Sequence, residues 1–62
     1  MNNIRNFRKQ NGLTQEELAK KLNLERSTIA KWESGHSLPR ADMLPDIAKI
    51  LGCTVDKLLQ NT

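Results

Sequence analysis

Arg26, Ser27, Ala30, Lys31 and Ser34 recur at the three- and four-residue intervals that place side chains on one face of an α-helix. Arg and Lys offer N–H donors, Ser an adaptable hydroxyl, and Ala30 a side chain too short to obstruct. A helix that lies in the major groove of duplex DNA and bonds to base edges requires that combination. A solvated amphipathic helix carries the same residue types, so this face alone leaves both readings open. Other reactive groups are sparse. His36 and Cys53 are the sole residues of their kinds, too few for a zinc site. With no nucleophile–base pair or phosphate-binding loop either, the chain is expected to be no enzyme and to need no metal or cofactor.

The charge balance is consistent with a polyanionic partner without requiring one. The net charge is +3 and the pI about 9.4. The excess lies in residues 1–40, where Arg5, Arg8, Lys9, Lys20, Lys21, Arg26, Lys31 and Arg40 outnumber Glu16, Glu17, Glu25 and Glu33. The remainder is faintly acidic, which suggests one face turned to a polyanion; ordinary solvated charge explains the balance equally well. Sixty-two residues, 37% of them hydrophobic, make one small domain over 1–62, near the lower size at which a core suffices. Mean hydropathy is −0.62, and no apolar run approaches the roughly 18–20 residues of a membrane span. The start, Met1 to Arg5, has no apolar stretch behind it and does not read as a signal peptide. A single cysteine, with no internal disulfide possible, fits a reducing compartment, so a cytoplasmic location is expected. Cys53 itself follows a helix-ending Gly52 and reads as structural, not reactive.

The elements that must carry the basic face are helical. No stretch alternates with period two, and the punctuation predicts five helices. The first runs from Asn2 to Asn11, with Ile4, Phe7 and Arg8 on one side, and stops at Asn11-Gly12. In the second, Thr14 caps, Glu17 completes a capping box, Leu13 staples against Leu18, and Leu18, Ala19 and Leu22 face inward. A sharp turn at Asn23, a residue that tolerates positive φ, leads to the third helix, Glu25 to Ser34, which hides Ile29 and Trp32 and ends at Gly35. After a loop, the fourth is expected to start at Ala41 or Asp42, with Asp42 a candidate cap, because Pro45 is tolerated only in a first turn. It ends at Leu51, and Thr54 caps a fifth from Val55 to about Gln60. Thr14 to Gly35 thus forms a capped helix, a short turn and a second helix whose outer side is polar. Ala19 is small where the two would cross.

Leu13–Leu22 (LTQEELAKKL) and Ser27–Gly35 (STIAKWESG) closely resemble the helix-turn-helix of the lambda and 434 repressors and Cro, the XRE family. The likeness continues through Leu38-Pro39 and Ile47 to Leu58, nearly the whole chain. It implies an all-α, five-helix lambda-repressor-like fold and binding of double-stranded DNA. Position by position, it implies base contacts by Arg26, Ser27 and Lys31. It implies phosphate contacts by Gln15, by the flanking Thr28 and Ser34, and by His36 and Arg40 in and after the loop. Two positions depart from the family's pattern: Asn23 replaces the usual Gly, and Glu25 replaces the usual Ser or Thr cap of the recognition helix. Glu25 could accept from a cytosine N4, restrain Arg26 or weaken nonspecific binding. The family also pairs the positions of Arg8 and Glu33. Burial leads to the same pair, since Arg8 shares a face with Ile4 and Phe7, where an unpaired charge is costly.

A single module of this size has a small interface, so high specificity is expected from a homodimer on a palindromic operator. The fifth helix, where Leu58 and Leu59 cannot both be buried, and the loop before the fourth are its candidate surfaces. The expected role is a transcriptional regulator of repressor type. The alternative is an antitoxin that binds a toxin protein and its own operator; a controller of a restriction–modification system comes third. No effector-sensing domain is expected within this sequence, so any signal would arrive through another protein such as a sensor.

Overall fold

The first four helices end at or beside a left-handed residue, Gly12, Asn23, Gly35 or Gly52, and those ends set the architecture. A computed structural model describes residues 3–60. It contains α1 (Ile4–Gln10), α2 (Gln15–Leu22), α3 (Arg26–Ser34), a 3-10 turn (Ala41–Met43), α4 (Leu44–Leu51) and α5 (Val55–Leu59). No strand occurs among the described residues. This is the five-helix, all-α arrangement of the lambda-repressor type. Of the expected first helix, Asn2 lies outside the described residues.

The best-defined start belongs to α2. Thr14 Oγ1 accepts from the Glu17 N–H at 3.0 Å, and Glu17 Oε1 accepts from the Thr14 N–H at 2.8 Å, closing the capping box. At its other end Asn23 takes φ 61° and ψ 41°. The Leu24 N–H then donates to the Ala19 carbonyl at 2.8 Å, which satisfies an orphan acceptor and swings half-buried Leu24 back against the core. This turn sets the angle at which α3 leaves α2.

The start of α4 differs from expectation. Residues 41–43 form a 3-10 turn, and the α-helix begins only at Leu44, with Pro45 in its first turn. The reason is steric: in a continuous α-helix the ring of Pro45 would meet the carbonyl of Ala41 and supply it no N–H. The tighter turn removes the conflict, because the Ala41 carbonyl accepts from Leu44 instead. Asp42 caps nothing; its carboxylate bonds to Arg40 at 3.2 Å. Smaller shifts occur elsewhere: Glu25 precedes α3 as its N-cap residue, without a side-chain bond, and α5 ends at Leu59.

The core joins all five helices. Ile4, Leu18, Ile29, Ile47, Leu51 and Leu58 are fully buried, with Ala19, Trp32 and Ala48 almost so. Burying each of the larger side chains stabilises the fold by about 1.5–3 kcal/mol. Of the adjacent leucines of α5, Leu58 is buried and Leu59 exposed. Side-chain amides tie the elements together. Asn11 Nδ2 donates to the Leu51 carbonyl at the end of α4 (2.8 Å), and Asn3 donates through its backbone N–H to Leu58 (2.8 Å) and through Nδ2 to Lys57 (3.0 Å).

Candidate nucleic-acid interface

Two sides of α3 have opposite chemistry because its large apolar residues, Ile29 and Trp32, fall on one side. Both are buried, whereas Arg26, Ser27, Lys31 and Ser34 are exposed and Ala30 half-buried between them. Gly35, at φ 84°, ends the helix, and the His36 N–H returns to the Lys31 carbonyl at 3.0 Å. The basic residues of α3 therefore stand on one outward stripe, held by a buried inner edge.

Behind that stripe lies a polar network. Arg8 Nε bonds Glu33 Oε2 at 2.7 Å and Arg8 Nη2 bonds Glu33 Oε1 at 3.0 Å, a bidentate pair across α1 and α3. The two side chains are only 10% and 5% exposed, so their charges meet in a largely desolvated setting. Arg8 Nη1 also donates to the Leu13 carbonyl at 2.7 Å, which anchors the segment leading into α2. Hydrogen bonding to Glu33 raises the Arg8 pKa; desolvation partly opposes it and Coulombic attraction to the carboxylate adds to it.

The network reaches the exposed face of α3 through Gln15. Its Nε2 donates to Glu33 Oε1 at 3.1 Å, and its Oε1 accepts from Arg26 Nη1 at 3.3 Å. Only this orientation of the amide satisfies both neighbours, since a carboxylate cannot donate and a guanidinium cannot accept. Gln15, expected as a phosphate contact, thus bridges the buried pair and Arg26, the first residue of the exposed α3 stripe. Nothing in the local sequence pattern announces this bridge, because its partners lie 18 and 11 residues away. The restraint on Arg26 comes from Gln15, while Glu25 at the α3 start makes no side-chain capping bond.

The other expected contacts are spread along one edge. Thr28 is half-buried in the first turn of α3. Ser34 Oγ donates to the Lys31 carbonyl at 3.2 Å and lies 2.7 Å from His36 Nδ1, so the loop histidine is tethered to the end of α3. Arg40 is 80% exposed and pairs with Asp42, itself 67% exposed. Such a surface pair is worth at most about 1 kcal/mol and leaves the guanidinium free to exchange partners. Elsewhere, burial pushes the Cys53 thiol up, with Lys57 opposing weakly, so the thiolate is disfavoured. No cluster of three or more His, Cys, Asp or Glu able to hold a metal occurs among the described residues. No helix there is long and apolar enough to cross a membrane.

The sequence profile of the helix-turn-helix family matches residues 4–58. The chain is 41% identical over 56 residues to the HTH-type transcriptional activator BcrR of Enterococcus faecalis, a match over 90% of this chain and 28% of that protein. It is 42% identical over 55 residues to YazB of Bacillus subtilis, an uncharacterized HTH-type transcriptional regulator, with 89% and 80% covered. An uncharacterized HTH-type transcriptional regulator of Archaeoglobus fulgidus is 40% identical over 55 residues, with 89% and 79% covered. The chain therefore spans a small part of the activator and most of the two regulators.

Proposed function

The chain belongs to the helix-turn-helix family of XRE type, and from that premise we propose that it regulates transcription by laying α3 in the major groove of duplex DNA. The observation that carries this reading is the division of α3, with Ile29 and Trp32 buried and Arg26, Ser27 and Lys31 exposed on the opposite side. Arg26 and Lys31 read guanine through O6 and N7, and Ser27 bonds to a neighbouring base edge. Gln15 and Thr28 hold the phosphates near the start of α3, while Ser34, His36 and Arg40 hold those near its end. The chain works through binding, without catalysis, in the cytoplasm, as a homodimer on a palindromic operator. Repression is the proposed sense, on the strength of the resemblance to the lambda and 434 repressors.

Selection of bound sites from a pool of random duplexes tests the reading directly. Enrichment of a two-fold symmetric site with half-sites about one helical turn apart is expected. Failure to enrich any sequence overturns it. A reporter placed behind the selected site then reads the sense of regulation, with reduced expression expected.

A further inference from the structure

A surface dent of about 320 Å³ lies beside α3, lined by Arg5, Arg8, Gln15, Ala30, Glu33 and Ser34. It is open to solvent and roomy enough to admit a phosphate group. Its charge is set by one residue. Arg8 and Glu33 are nearly buried and neutralise one another. Arg5 is exposed, and among the described residues it has neither a hydrogen-bond nor a carboxylate partner. Glu33 is the carboxylate that could have captured it, but its two oxygens already accept from Arg8 Nε, Arg8 Nη2 and Gln15 Nε2. The dent thus keeps an uncompensated cation on its α1 side. Ala30, whose methyl group leaves the space open, and Ser34 line it from α3.

We propose that Arg5 binds a phosphate of the DNA backbone in this dent, so that the DNA interface extends from the helix-turn-helix onto α1. The proposal rests on the reading that α3 enters the major groove, because the sugar-phosphate strand bordering that groove must then pass beside α3. Among the described residues that line the dent, Arg5 carries the one uncompensated charge. Its guanidinium matches a phosphate with paired N–H donors, and it does so without breaking any bond of the folded chain.

The test is a salt series of binding measurements by fluorescence anisotropy, with a labelled mixed-sequence duplex as probe. The proteins are the wild-type chain, Arg5→Gln, Arg5→Ala, Arg5→Lys and, as an equal change of net charge elsewhere, Lys49→Ala at an exposed position of α4. Loss of Arg5 should weaken binding several-fold and flatten the slope of log K against log salt by about 0.9, one phosphate contact. Arg5→Lys should recover most of that slope, Lys49→Ala should stay near wild type, and the melting temperature of every Arg5 variant should be unchanged. Arg5 variants that match Lys49→Ala in slope overturn the proposal while leaving DNA binding intact. A wild-type chain that does not bind the duplex overturns it together with the function on which it rests.

Discussion

Glu33 takes three N–H donors on two oxygens, and this crowding links the stability of the fold to the proposed DNA contact of Arg26 at the scale of single residues. Replacing it by Gln leaves the Arg8 charge enclosed without its counter-ion, which should cost about 3 kcal/mol in denaturant unfolding. An unchanged midpoint would sink the idea that burial strengthens this pair. Joint replacement by apolar residues, Arg8→Met with Glu33→Leu, should recover much of that loss, because the desolvation penalty disappears with the charges. The same double variant should still bind DNA more weakly than wild type, since Gln15 loses the carboxylate that orients it towards Arg26. Lys31 makes no such internal link. Lys31→Ala should relax base preference at one position of each half-site, read by repeating the site selection with the variant. A uniform loss over all sequences would make it a phosphate contact instead.

Among the elements, α2 carries the most local information, and its ends are accordingly those most fully anticipated by the residue pattern. Thr14, Glu17 and Asn23 act on backbone groups within a few positions, so a capping box and a left-handed turn could be read from spacing alone. Thr14→Ala should cost about 1 kcal/mol of stability by calorimetry or denaturation. Glu17 adds a pH signature. Hydrogen bonding from the Thr14 backbone N–H, then from the Thr14 hydroxyl, holds its carboxyl pKa below the ordinary value of 4.5, with desolvation opposing and Lys21 and Lys20 assisting. A lowered folded pKa means that this contribution is complete above pH 4.5 and is lost as pH falls through the folded value. Wild type should therefore lose melting temperature more steeply in acid than Glu17→Gln, and parallel curves would contradict the assignment. The start of α4 was less legible. Pro45 announced a boundary, but whether the preceding turn would be α or 3-10 depended on the clash at Ala41, which capping rules do not weigh. Least legible were Gln15 and Asn11, whose amides bond to residues brought close only by the finished fold. Arg5 was hidden for a different reason: as one exposed cation among several, it acquires meaning only from the dent beside it.

At the scale of the whole molecule, Leu38 and Leu59 stand out as the exposed large apolar side chains among the described residues, at 59% and 47%. They lie in the loop before α4 and on α5, the two surfaces expected to meet in a dimer. Leu59→Lys should shift sedimentation towards monomer and weaken binding to a palindromic site, with little change in melting temperature. A wild-type chain that stays monomeric at high micromolar concentration, both free and on DNA, would remove the dimer from the proposal. The bonds from Asn3 to Leu58 and Lys57 close the fold on itself. They join the opening of α1 to the closing turn of α5, across 54 residues of sequence. Through Arg8 and Glu33 the same α1 also holds α3. One short helix thus serves as the common fastening for elements that lie far from it along the chain.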